Sequence, residues 1–346
     1  MAHRKLLHGG GRPMKLKLKP LSEQIIVITG ASSGIGLATA RLAAERGARV
    51  VLVSRDDEDL ANAVREIQDR GGRASHYVAD VADAGAMRGL AQHVVSDFGR
   101  IDTWINNAGV SVYGRIEDVS VSDARRLFET NYWGVVNGSL AALPHLRSEG
   151  GALINIGSVL SDTGYPLQGH YSASKHAVKG FTDSLRLEVE ESGGPVAITL
   201  IQPAAIDTPY TEHARNYLGV EPKHMAPVYA PEVVADAILH CAENAERNLL
   251  VGGSGKVFSS SEKYAARAFD LLKEATGFKG QQTDIPARGD DTLFEPLPGD
   301  VRVRGNYPGR VLESSAYTSA RLNRGKTLLG LAVIGAGLVA ANRGRH

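Results

Sequence analysis

"IIVITGASSGIG", residues 25–36, decides the fold. A run of apolar and β-branched residues ends in a glycine-rich turn. Behind the turn, "GIGLATARLAAERG" (34–47) carries apolar residues at helical spacing and closes on a glycine. Strand, tight turn and helix make the first half of a βαβ unit. Gly30, Gly34 and Gly36 permit a tight turn and a close backbone approach, and the helix start offers free N–H groups and a partial positive charge. Gly30, Ser32, Ser33, Gly34, Ile35 and Gly36 are therefore candidate contacts to a pyrophosphate. Taken alone, the same residues also read as an ordinary strand–helix turn.

Outward from this turn the pattern repeats. Apolar runs lie at 25–29, 49–53, 74–79, 102–105, 152–156, 196–201 and 248–251, with helical stretches between them. Continuous apolar strands alternating with helices imply a parallel sheet covered on both faces. The reading is α/β: one Rossmann-like, doubly wound, seven-stranded domain over 22–252. Residues 1–21 read as a basic, flexible extension, with Met14 as an alternative start. After the domain come a helix at 261–277 within a 253–277 extension, a loose linker over 278–323, and a tail at 324–346.

Composition sets limits. The chain has 346 residues, 43% of them hydrophobic, and a formal net charge of +1, so no global field favours nucleic acid. The single cysteine, Cys241, excludes an intramolecular disulfide framework and fits a reducing, cytoplasmic compartment. Basic residues gather at the two ends. The tail run "TLLGLAVIGAGLVAA" (327–341) is flanked by Arg324, Lys326, Arg343 and Arg345. Its uninterrupted stretch falls short of the roughly 20 residues of a spanning helix. A membrane-associating tail, a helix docked on a partner subunit and a core helix of the same chain all fit it.

The second strand ends "VLVSRDD", with Ser54 and Arg55 where an acid would accept ribose hydroxyls. A cation there suits a ribose 2′-phosphate, so NADP(H) is preferred to NAD(H). Asp56 and Asp57 follow closely and keep NAD(H) open.

"TGASSGIG" (29–36), "NNAG" (106–109), "NYWG" (131–134), "INIGS" (154–158) and "YSASK" (171–175) occur in the order and spacing of the short-chain dehydrogenase/reductase family, and the chain resembles that family over about residues 22–252. Tyr171 and Lys175, four apart, share one helix face. A phenol of pKa about 10 is a poor base, and a nearby ammonium would lower that value. Tyr171 then reads as general acid/base and Ser158 as the group that polarises the substrate oxygen. The resemblance implies that Lys175 also reaches the nicotinamide ribose and that Asn131 holds a water of a proton relay. It further implies cofactor contacts from Asp80, Val81, Asn107, Ala108, Gly109, Pro203, Ile206 and Thr208, with Asn107 bracing the sheet. Asp80 also reads as a helix cap. Ala204 stands where the family has glycine.

Residues 207–229 occupy the position of a variable substrate lid and read as a mobile loop, with His213 and His224 as solvated loop histidines and no metal ligand assigned. Val112, Leu160, Gln168 and Tyr210 are the substrate-binding candidates, with Val110, Tyr113 and Tyr165 beside them. The implied function is hydride transfer between NADP(H) and a carbonyl or secondary alcohol of a medium-sized hydrophobic substrate. NAD-dependent alcohol oxidation by the same residues is one alternative. A non-catalytic dinucleotide-binding sensor acting through its tail is another. The resemblance also implies a homodimer or homotetramer formed through residues 120–148 and 171–192.

Overall fold

The computed structural model describes residues 16–323. Seven strands form the sheet: β1 (Ile25–Thr29), β2 (Arg49–Ser54), β3 (Arg73–Val78), β4 (Thr103–Asn106), β5 (Gly151–Ile156), β6 (Val196–Pro203) and β7 (Asn248–Val251). All pairings between them are parallel, in the order β7-β6-β5-β4-β1-β2-β3. Every residue of β1, β4 and β5 is buried. Burial on both faces is why these strands read as unbroken apolar runs.

Helices cover both faces: α1 (Gly34–Glu45), α2 (Asp57–Asp69), α3 (Ala84–Phe98), α4 (Val121–Phe128), α5 (Gly134–Glu149), α6 (Gly169–Glu191) and α7 (Pro231–Glu243). One apolar layer joins α1 and α7 to the sheet through Leu37, Ala40, Ile238 and Leu239. The other joins α3, α5 and α6 through Leu90, Val94, Leu146 and Leu185. The chain leaves β1 toward β2 and returns to β4 on its other side. The two loops diverge at the carboxyl ends of these strands, and a crevice opens there. Trp133, Leu140 and Leu187 are exposed apolar residues on the stretches expected to form a subunit interface.

The region after the sheet differs from its sequence reading. The helix expected at 261–277 runs from Gly253 to Gly280 (α8), broken at Ala265 (φ −145°, ψ 38°). Residues 278–323, read as a loose linker, pack along the domain. Gln282–Pro286 pairs antiparallel with Val220–Pro222, and Val311–Leu312 pairs with Val228–Tyr229. Leu293 is fully buried. Its Gly, Pro, Asp and Arg content serves side-chain anchors and turns rather than a core of its own. A short helix, α9 (Ala316–Leu322), follows. The 207–229 lid is stitched at three places. Besides the 220–222 pairing, Ala205–Ile206 pairs with Val228–Tyr229, and Arg215–Asn216 pairs with Val112–Tyr113. Among the described residues no helix is long and apolar enough to cross a membrane. The basic start at 1–13, Met14 and the apolar tail at 327–341 lie outside the described residues.

Candidate active site

One continuous cleft, of about 350 Å³, runs along the carboxyl ends of the strands. At one end lie Gly30, Ser32, Ser33, Gly34 and Ile35, and at the other Ser158, Tyr171 and Lys175. Gly30 has φ +64°, and a Cβ there would stand 2.7 Å from the Ala108 Cα, so the turn requires glycine. Gly36, expected beside a ligand, is instead buried beneath the turn. A Cβ on it would lie 2.1 Å from the Gly30 carbonyl oxygen. Its part is close packing of α1 on β1. Asn107 braces the same turn, its Nδ2 donating to the Thr29 and Gly30 carbonyls.

Arg55, Asp80, Val81, Asn107, Ala108, Gly109, Pro203, Ile206 and Thr208 all line the cleft. Of the acids after β2, Asp56 lines the cleft with one carboxylate oxygen engaged in a helix cap, and Asp57 points away. Asp56 caps α2 by accepting from the Asp59 N–H at 2.8 Å, and Asp57 faces solvent and His76. Arg55 donates to the main-chain carbonyls of Phe294 (2.7 Å) and Thr292 (2.5 Å). Burial lowers its pKa, yet a guanidinium keeps its charge at any working pH. Asp80 is not the cap of α3, since Asp83 accepts from the Gly85 and Ala86 N–H groups. It accepts from Ala82 N–H and pairs with Arg126 at 2.6 Å.

At the other end, α6 places Tyr171 and Lys175 one turn apart. Lys175 Nζ donates to the Ile156 carbonyl at 2.9 Å and lies 5.7 Å from the centre of the Tyr171 ring. Burial pulls the Lys175 pKa down to about 8. The sequence leads one to expect a Tyr171 phenol acidified by that ammonium. The structure gives the opposite direction: burial raises the Tyr171 pKa, and the Tyr210 and Ser158 hydroxyls only oppose it. Desolvation of the phenolate exceeds any help from a cation held on a carbonyl. Ser158, two residues past the end of β5, caps the turn Val159–Ser161, its Oγ accepting from Leu160 N–H at 3.1 Å.

Asn131 sits in a π-helical turn, Glu129–Trp133, between α4 and α5 and is fully buried. Its Oδ1 accepts from Val110 N–H (2.8 Å), and its Nδ2 donates to the Val110 carbonyl (3.0 Å) and to Ser174 Oγ (3.2 Å). Both amide donors are engaged by protein groups. The side chain therefore ties the loop after β4 to α6.

Among the substrate candidates, Leu160, Gln168 and Tyr210 line the cleft, as do Val110, Tyr113 and Tyr165. Val112 does not. It is buried in the apolar cluster with Val119 and Leu127, because the extended segment alternates its faces and turns Ser111 and Tyr113 to the cleft. His224, read as a solvated loop histidine, lines the cleft. It stacks on Tyr210 (centroids 6.0 Å apart), its Nε2 is buried without a hydrogen-bond partner, and burial lowers its pKa to about 4. His213 pairs with Asp300 at 2.6 Å. Further lining comes from Phe258 and Gln281, and from Thr292, Pro296, Leu297 and Asp300. No local motif marks these residues; only long-range packing brings them to the cleft.

Residues 24–218 match the short chain dehydrogenase family. The uncharacterized oxidoreductase YxnA of Bacillus subtilis (strain 168) is 43% identical over 331 residues, covering 94% of this chain and 92% of its own. That match runs past residue 218 into the extension. A 3-ketodihydrosphingosine reductase of Bacteroides thetaiotaomicron is 37% identical over 194 residues, covering 56% of this chain and 68% of its own. Among solved structures, a metagenomic short-chain oxidoreductase in complex with NADP superposes with a TM-score of 0.57 at 29% identity, over 67% of this chain and 98% of its own. With the parallel sheet and the cleft at its carboxyl edge, these likenesses make the chain a member of the short chain dehydrogenase family and an oxidoreductase.

Proposed function

We propose that the protein reduces a carbonyl group, or oxidises the matching secondary alcohol, on a medium-sized hydrophobic substrate with NADP(H). The observation that carries this is the continuity of one cleft from the glycine turn to Tyr171 and Lys175. The residues present fit a dinucleotide. Ser33 places no side-chain cap on the α1 start, although Gly34 N–H is taken by the Arg302 carbonyl, and a cationic Lys175 stands at the far end. Related solved structures are complexes with NADP, with 5-hydroxy-NADP and, at lower identity, with NAD, which supports a nicotinamide dinucleotide in this cleft.

When bound, a nicotinamide supplies or takes the hydride. The chain's own residues handle the oxygen and its proton. Ser158 Oγ, just past the end of β5, would hold and polarise the substrate oxygen. Tyr171, protonated at neutral pH because burial raises its pKa, would give that oxygen its proton in reduction. Lys175 would reach the ribose hydroxyls and compensate the developing phenolate. Asn131 would act as a positioning residue, since it fixes the β4 loop against α6. Leu160, Tyr165, Phe258 and Met225 offer an apolar wall, while His224 and Gln168 add polar groups to it. The Bacteroides relative's name, a ketone reductase, accords with reduction of a carbonyl on an apolar chain.

The test is NADPH consumption across aldehydes, aliphatic ketones, aromatic ketones and steroid-like ketones, with Tyr171→Phe as the control. Turnover that survives in the variant would sink the assignment. Turnover nowhere, with NADPH bound, would favour the sensor alternative.

NADP preference rests on Arg55, whose two partners are neutral carbonyls, and on the commitment of Asp56 to a helix cap. Arg55→Ala should weaken NADPH binding about tenfold or more beyond any loss for NADH, the scale of one charge-assisted phosphate contact. Equal losses for the two cofactors in a titration would reject the preference.

Lys175 predicts a pH limb. Its pKa lies at about 8 in place of the ordinary 10.5, so the cation is lost as pH rises through about 8. A charged Lys175 serves the ribose; a neutral one serves it poorly. In the reductive direction kcat/KM for the cofactor, which reports the free enzyme, should fall tenfold per pH unit above about 8. A profile flat to pH 10 would show that this amine is not the controlling group.

A further inference from the structure

We infer that residues 291–302 of the C-terminal extension are a wall of the dinucleotide site: a strap over its adenosine end that must lift for the ligand to enter and that closes on it once bound. The inference rests on the dinucleotide reading above. Thr292, Pro296, Leu297 and Asp300 line the same cleft as Gly30, Ser54 and Asp80. They lie at the end away from Tyr171, where the adenine and its ribose would sit.

The strap is fastened to every side of that end. On the β2–α2 side, Arg55 donates to the Thr292 and Phe294 carbonyls, and Asp59 Oδ1 accepts from Gly299 N–H at 2.9 Å. On the α4 side, Arg126 Nε donates to the Leu293 carbonyl at 3.0 Å while its Nη2 holds Asp80. On the lid side, Thr292 N–H donates to the His213 carbonyl, His213 pairs with Asp300, and Arg215 pairs with Asp291 at 2.9 Å. At the head of α1, Gly34 N–H donates to the Arg302 carbonyl at 2.8 Å. Leu293 is an apolar peg, fully buried in the apolar cluster that holds Val119 and Leu127.

Between the anchors, "EPLP" (295–298) spans the opening. Pro296 and Pro298 have no N–H to satisfy, and Pro296 and Leu297 present an apolar cover suited to the face of a purine. A ligand of dinucleotide size cannot reach the glycine turn from the adenosine end while the strap bonds both walls. Each fastening is a single hydrogen bond or a partly exposed ion pair, individually weak, so the strap can open piecewise. One consequence concerns Arg55. Two strap carbonyls orient its guanidinium without neutralising it, so recognition at the ribose 2′ position depends on the closed strap.

Hydrogen exchange on the full-length protein tests this. Adenosine 2′,5′-bisphosphate, which carries the adenosine half alone, should slow exchange of the 291–302 amides about tenfold or more, as NADPH should. Nicotinamide mononucleotide should not. Asp291→Asn, which weakens a fastening remote from the ligand, should speed NADPH dissociation at least fivefold in stopped-flow fluorescence. If NADPH protects residues 29–36 but leaves 291–302 unchanged, the strap is refuted and the dinucleotide reading stands. If neither segment is protected, both fall.

Discussion

Tyr171→Phe is expected to lower kcat/KM for carbonyl reduction by about a thousandfold, within the range for loss of a positioned general acid. NADPH should still bind with little change. The substitution removes one hydroxyl and keeps the ring. The ring holds an edge-to-face contact with Tyr210 (centroids 5.6 Å apart, 66°) and belongs to the apolar cluster of Val110 and Leu160. Packing alone therefore predicts near-native stability, and the lost rate is chemical. The residue's raised pKa adds a directional signature. The protonated phenol is ready to donate throughout the neutral range, so reduction should be flat there until Lys175 titrates. Oxidation needs the phenolate, so it should climb as pH rises toward the Tyr171 pKa. Reduction and oxidation profiles of the same shape would contradict a phenol as the proton carrier, as would a variant retaining more than about a tenth of wild-type kcat/KM.

The sheet and the pairing of Tyr171 with Lys175 in the cleft were legible because their signals are local. Ile25–Thr29 and Gly151–Ile156 are apolar runs between turns, and burial on both sheet faces admits little else. Tyr171 and Lys175 declare themselves by a spacing that one helix turn converts into proximity. Val112 shows where such local reading stops. Whether 111, 112 or 113 faces the cleft depends on the register with Arg215–Asn216, a partner about a hundred residues away. The strap was illegible for a stronger reason. Arg55 and Phe294 are separated by 239 positions, and a segment rich in Gly, Pro, Asp and Arg has the composition of a loop whether it is packed or free. Leu293, its buried peg, stands in "TLFEPLP" (292–298), where Phe294 and Leu297 add apolar residues without any regular period. His224 misleads in the same way: prolines and charges around it suggest solvent, but the lid folds it onto Tyr210. The Tyr171 pKa was misjudged because spacing reveals the neighbouring amine, whereas desolvation depends on everything else around the phenol.

Gly36→Ala is expected to cost about 2–3 kcal/mol, the scale of an overpacked core, and to lower Tm by about 5–10 °C. The added Cβ would stand 2.1 Å from the Gly30 carbonyl oxygen, 2.8 Å from its carbon and 2.7 Å from Asn107 Nδ2. Two of those neighbours are backbone, so no rotamer change relieves them. The third is the amide that donates to the Thr29 and Gly30 carbonyls, and pushing it away breaks both bonds. Relief therefore requires α1 to move off β1, carrying the turn from Gly30 to Ile35 with it. Cofactor affinity should fall with stability, although Gly36 itself does not line the cleft. Gly71→Ala separates this close-packing cost from the general cost of replacing glycine. Gly71 lies at φ +82° with nothing within 4 Å of a built Cβ. Its alanine variant should lose only about 1 kcal/mol from backbone strain and bind NADPH normally. Paired melting curves and NADPH titrations decide the matter. A Gly36→Ala protein that melts and binds like Gly71→Ala would mean that the turn tolerates displacement and is not the rigid floor of the cleft.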